Sequence, residues 1–141
     1  MSRRQAKAVC AELLEALDLQ QRAQVLAGAL PHGDEQKVSV ARALASRPRY
    51  VLLDEPAAGL AESDIVSFAN LVRRVRDEYG AGVLLVDHNM ALIMDVCDRI
   101  HVLDQGRTLA SGTPAEIRRN IDVTAAYLGS SGVKEDARPD A

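Results

Sequence analysis

Tryptophan is absent from the 141-residue chain, and one Phe and three Tyr bring aromatics to only 3%. A core built on aromatic rings is thereby excluded, and packing falls to Leu, Val, Ile and Ala, the residues that fill helix–sheet interfaces. Cysteine is nearly absent. Cys10 and Cys97 lie far apart and form no Cys-x-x-Cys pair, which points to reduced thiols in apolar packing rather than a disulfide framework. No run of Lys and Arg is long enough to track a phosphate backbone, and the net charge is −3, so nucleic acid is not expected as a partner. Arg3-Arg4 is followed by Gln5 to Ala8 instead of an apolar stretch, so no secretory signal is expected. The longest apolar runs, such as Ala81 to Val86, fall far short of the ~20 residues a bilayer-spanning helix needs, so direct membrane insertion is not expected.

What remains is 48% apolar and 26% charged, enough for one modest globular core. Val9, Leu13, Leu14 and Leu17 recur at helical spacing within Gln5 to Leu17. Gly28 breaks that pattern, and Asp34 is placed to cap a helix running to about Ser46 and stopped by Pro48. Tyr50 to Leu53 reads as a strand buried on both faces and ending at Asp54. Ile65, Phe68, Ala69, Val72, Val75 and Tyr79 predict a helix from Glu62 to Tyr79 that stops at Gly80. Val83 to Val86 predicts a second buried strand, so the segment from Tyr50 to Val86 reads as a parallel pair joined by a crossover helix. Asn89 is placed to cap a short helix through Val96. Arg99 to Leu103 and Arg107 to Ser111 predict a hairpin turning at Gln105-Gly106 and extending the sheet edge. Thr113-Pro114-Ala115-Glu116 opens a further helix with a capping box, and Asp122 to Leu128 adds a last turn or two. The expected class is α/β, with Ser130 to Ala141 a disordered polar tail.

In a parallel sheet, ligands collect beyond the carboxyl ends of the strands. The first predicted strand delivers Asp54-Glu55 there and the second Asp87-His88. An apolar strand ending in Asp-Glu suits phosphoryl transfer: the first carboxylate holds magnesium, usually through water, and the second orients the attacking water. Taken alone, the pair reads equally well as acids meeting solvent at a strand end. His32 in a loop and His101 in a strand read as packing or surface residues rather than metal ligands.

The flanking sequence separates these readings. Leu30-Pro31-His32-Gly33-Asp34, with Glu35-Gln36-Lys37 and Val40 to Leu44 after it, resembles without gaps the Leu-Ser-Gly-Gly-Gln signature and helix of the ATP-binding cassette (ABC) ATPases. Tyr50 to Pro56 resembles the Walker B segment of that family, Ala58-Gly59-Leu60-Ala61 its D-loop and His88 its switch histidine. The motifs follow the family's order, and the resemblance covers about residues 5–129.

The resemblance implies part of a P-loop NTPase (RecA-like) domain over 1–129, in three stretches: the signature helix region 5–47, Walker B to switch histidine 48–98, and the C-terminal hairpin and helices 99–129. It implies ATP and Mg2+ as cofactors, Asp54 as the magnesium holder, and Glu55 and His88 as the catalytic pair. Leu30, Pro31, His32, Gly33 and Asp34, with Gly59 and Leu60 of the D-loop, would face ATP held by the opposite subunit. Gly33 suits that role by permitting close backbone approach, and the following helix points its positive end at an anion. The implied partners are a second ABC ATPase subunit and transmembrane permease subunits, and the implied location is cytoplasmic, peripheral at the inner face of the membrane. Pro31 and His32 depart from the usual Ser and Gly, Ala61 stands where the D-loop usually has Asp or Asn, and Asp87 has no catalytic role in this reading.

Asp98-Arg99-Ile100, Gly106-Arg107, Gly112-Thr113-Pro114 and Ala126-Tyr127-Leu128-Gly129 resemble the C-terminal segment of branched-chain amino acid importer subunits. None of the nine glycines is followed by Lys, so these residues contain no Gly-x-x-x-x-Gly-Lys-Ser/Thr loop to cradle phosphates. The first expectation is therefore the C-terminal portion of an importer ATPase, inactive without a phosphate loop from elsewhere. The second is a non-catalytic module that binds another cassette subunit.

Overall fold

The computed structural model describes residues 2–127, so the predicted tail at 130–141 lies outside the described residues. These fall into two compact units that divide between Val96 and Cys97.

The first unit opens with α1 (Arg3–Ala16), whose start is secured by a capping box between Ser2 and Gln5. Two short 3-10 turns, Gln20–Arg22 and Ala27–Ala29, lead to α2 (His32–Leu44). Helix α2 starts two residues before the expected cap. Pro31, extended at φ −56° and ψ 148°, occupies the cap position, while Asp34 lies in the first turn and pairs with Arg22 at 3.1 Å. Its carboxylate therefore acts by charge at the positive helix end.

Strand β1 (Tyr50–Asp54), helix α3 (Glu62–Asp77) and strand β2 (Gly82–Val86) follow. The strands pair in parallel, Leu52 opposite Leu84 and Asp54 opposite Val86. Phe68, Ala69, Leu71, Val72 and Val75 give α3 a continuous buried stripe, and α3 packs on α2, on β2 and on α4 (Met90–Val96). Asn89 caps α4, its side chain accepting from the Leu92 N–H at 3.0 Å.

The strands are not buried on both faces as their composition suggests. Val51 is 3% exposed, whereas on the other face Tyr50 is 67%, Leu52 72%, Leu84 58% and Val86 54% exposed. A parallel strand needs cover on both faces, and among the described residues α3 packs against this sheet while the face carrying Tyr50, Leu52, Leu84 and Val86 stays open.

The second unit holds the antiparallel pair β3 (Ile100–Asp104) and β4 (Arg107–Gly112), turning through Gln105 at φ 47° and Gly106 at φ 77°. Positive φ at both positions is the hairpin geometry that matches strand twist. This pair is a sheet of its own rather than an extension of the parallel one. Thr113 and Glu116 form the expected capping box on α5 (Pro114–Arg119), and α6 (Ile121–Tyr127) anchors its last residue by a 2.7 Å hydrogen bond from the Tyr127 hydroxyl to the Leu103 carbonyl.

Both cysteines are free. Cys97 is half-buried, but Cys10 is exposed on α1, contrary to the expected apolar packing, because that helix buries only Leu13 fully.

Candidate functional site

The carboxyl ends of β1 and β2 lie side by side because the register places Asp54 opposite Val86. The ladder continues one residue further: the Glu55 N–H donates to the Val86 carbonyl at 2.7 Å. Glu55 then turns out of the strand with φ 45°, a left-handed conformation that costs a non-glycine residue about 1 kcal/mol or more. The turn is closed by the Ala58 N–H donating to the Glu55 carbonyl at 3.1 Å. It leaves the Glu55 side chain in solvent, where Oε1 lies 4.0 Å from His88 Nδ1. That separation is within ion-pair reach but too long for a direct hydrogen bond.

Asp87, which the sequence left without a role, holds this corner together. Its side chain is 0% exposed. One carboxylate oxygen accepts from the Asn89 N–H at 2.8 Å, and the other accepts from the Ala57 N–H at 2.9 Å, thirty residues away in the loop after β1. A carboxylate taking two backbone N–H groups makes strong, charge-assisted bonds. The Asp-x-Asn spacing signals the first as an Asx turn, but no local pattern signals the second.

The signature-like segment meets the same loop from the other side. His32, the first residue of α2, directs its ring at the loop 56–61, and Nε2 lies 3.0 Å from the Ala58 carbonyl oxygen. Since a carbonyl only accepts, Nε2 carries the proton. The Ala58 bond, and after it the neighbouring Glu35 carboxylate, raise the His32 pKa above its ordinary 6.5. Gly59 follows at φ 74°, and a Cβ there would stand 3.4 Å from the ring nitrogen. A side chain at 59 would strain the backbone and press on the ring. Leu30 ends the preceding 3-10 turn, Gly33 and Asp34 fall in the first turn of α2, and Leu60 closes the loop by donating its N–H to the Ala57 carbonyl at 3.1 Å.

The structure thus brings Glu55, His88 and Asp54 to one strand-end corner and joins His32 to the loop that carries Gly59. Asp54 is exposed and has no side-chain partner among the described residues. No cluster of three or more metal-ligating side chains occurs among them, and Asp54 offers one open carboxylate as a donor. That donor set suits Mg2+, which characteristically keeps waters and takes one or two carboxylates. No helix among the described residues is long and apolar enough to cross a membrane.

Residues 2–58 match the ABC transporter family model, and residues 107–133 match that of the branched-chain amino acid ATP-binding cassette transporter. The high-affinity branched-chain amino acid transport ATP-binding protein BraF of Pseudomonas aeruginosa is 42% identical over 130 residues, 92% of this chain and 51% of its own length. LivG of Escherichia coli K12, named for the same transport, is 40% identical over 118 residues, 84% of this chain and 46% of its own. The E. coli lipopolysaccharide export protein LptB is 36% identical over 118 residues, covering 84% of this chain and 48% of its own. The chain spans about half the length of these curated relatives. Among solved structures, the cassette MJ1267 in its ADP conformation superposes with a TM-score of 0.82 at 24% identity, over 92% of this chain and 52% of that one. CbiO1 of Clostridium perfringens gives 0.79 at 21% identity, over 94% and 54%. In its matched motifs and in its fold, the chain belongs to the ATP-binding cassette family of transporter ATPases.

Proposed function

We propose that this chain supplies the signature, magnesium and hydrolysis segments of the ATP-binding subunit of a branched-chain amino acid importer, and works with a phosphate loop carried on further polypeptide. The observation that carries the reading is the corner itself: a parallel register that sets Glu55 beside His88, 4.0 Å apart, with Asp54 open next to them. The substrate class rests on BraF and LivG by name. LptB, named for lipopolysaccharide export, matches the same half of the fold, which supports placing specificity in the permease rather than in this chain.

Within the site, Glu55 accepts a hydrogen bond from a water and turns its lone pair toward phosphorus, and His88 steadies the same water or a phosphate oxygen from the opposite side. Asp54 would hold Mg2+, which when bound would supply positive charge against the phosphate oxygens. The first turn of α2, from His32 to Asp34, with Gly59, would present backbone N–H groups toward a nucleotide on a second ATPase subunit, with Leu30, Pro31 and Leu60 flanking them. Permease subunits would bring the dimer to the inner face of the membrane.

The test is reconstitution. The chain co-purified with a polypeptide carrying the phosphate-loop half of a BraF-like domain should turn over ATP, and Glu55→Gln should lower kcat at least ~100-fold while nucleotide binding persists. Turnover that survives Glu55→Gln would sink the assignment. The open sheet face favours a second reading, a module that associates with cassette subunits without catalysis. Association that leaves ATP turnover absent in every combination would favour it.

A further inference from the structure

The loop after β1 is gripped at two successive residues by side chains from two different elements. Asp87, beyond the end of β2, accepts from the Ala57 N–H at 2.9 Å. His32, at the start of α2, donates to the Ala58 carbonyl at 3.0 Å. The first grip ties the loop to the segment that bears His88, and the second ties it to the signature-like segment. Residues 57 and 58 are therefore the junction between the hydrolytic corner and the start of α2.

We propose that His32 and Asp87 are positioning residues that clasp the loop 55–61 from both sides and fix its conformation between the signature-like segment and the Glu55–His88 corner. The clasp stands on geometry within this chain, and its use in presenting two segments to a second subunit rests on the proposed function. Three features support it. The Asp87 side chain is fully shielded, so its two bonds compete with no water. The hydrogen bonds from Ala58 to the Glu55 carbonyl and from Leu60 to the Ala57 carbonyl make the loop a closed series of turns, in which displacing one residue displaces its neighbours. Helix α2 itself packs on α3, which begins where this loop ends, so the His32 grip has a firm base.

The groups around the His32 ring are the Glu35 carboxylate, 3.6 Å from Nδ1 on its own helix, and Asp64 in the first turn of α3. Both are acidic. They favour the doubly protonated ring, which still donates from Nε2, so the grip is kept in either charge state.

Amide hydrogen exchange on the chain itself reads the clasp without any ATPase assay. In His32→Phe, which keeps a ring but no donor, exchange at Ala58 and Leu60 should speed up about fivefold, the loss of one exposed hydrogen bond. Exchange at Ala57, held by Asp87, should rise with it. His32→Gln places a donor N–H at similar reach and should restore all three amides to within about twofold of wild type. His101→Phe, distant in sequence on β3, should leave them unchanged. Unchanged exchange in His32→Phe, failure of Gln to restore it, or a rise confined to Ala58 and Leu60 would overturn the clasp. Should the Phe variant loosen globally, the wild-type chain decides: long-range nitrogen–proton spectra must show the His32 proton on Nε2 at neutral pH, and an Nδ1–H tautomer overturns the assignment. A clasp that passes while reconstituted turnover fails would leave this inference standing and remove only the proposed function.

Discussion

Single residues in this chain are set by their burial. Cys97 is half-buried, and that burial, followed by the neighbouring charge of Asp98, pushes its thiol above the ordinary 9.0, whereas Cys10 lies exposed on α1. The thiolate is the reactive form, so raising the pKa slows alkylation, and shielding slows it again. Iodoacetamide at pH 8 should label Cys10 first, by mass spectrometry of the peptides. Equal labelling, or Cys97 leading, would contradict the packing around the latter. At the same scale, Glu55, His88 and Asp54 were legible as candidates because each follows an apolar run that the eye can find. Asp87 follows such a run too, but its role as a bracket depends on an N–H thirty residues away and is not readable there.

At the scale of elements, the helix starts differ in how their free N–H groups are met. Ser2 and Thr113 close capping boxes and Asn89 caps α4, all readable from side-chain type and spacing. Helix α3 begins after Ala61, which has cap geometry at φ −70° and ψ 158° but no side-chain acceptor, leaving Glu62 and Asp64 to help by charge alone. Ala61→Asn should therefore stabilise the chain by about 1 kcal/mol, seen as a raised denaturant midpoint at unchanged slope. No shift would mean that water already meets those N–H groups. Because Ala61 also ends the clasped loop, the natural residue leaves that start of α3 less firmly held than the family's usual Asp or Asn would.

For the molecule as a whole, the open sheet face is the main departure from expectation. A soluble surface seldom shows Tyr50, Leu52, Leu84 and Val86 together, and such a patch marks an interaction surface. The relatives and structural neighbours are about twice as long, so the same fold occurs inside larger domains that have more chain with which to cover it. Leu84→Glu and Leu52→Glu should leave the circular dichroism of the isolated chain unchanged, since both side chains already face solvent. They should abolish co-purification with the phosphate-loop half, because an unpaired carboxylate would then be buried. Association unaffected by either substitution would assign the cover to another surface.

The order of elements, the capped helix starts, the hairpin and the strand-end acids are properties of neighbouring residues, and the sequence alone determined them. Periodicity and turn chemistry act over a few positions, so they survive without knowledge of what lies across the fold. Tertiary structure alone decided which face of β1 and β2 stays uncovered, where the His32 ring finds its acceptor and why Asp87 is shielded. Each of those depends on a partner 26 or more residues away or on which helices pack on the sheet, and apolar composition reports that a strand wants cover without reporting whether it has it.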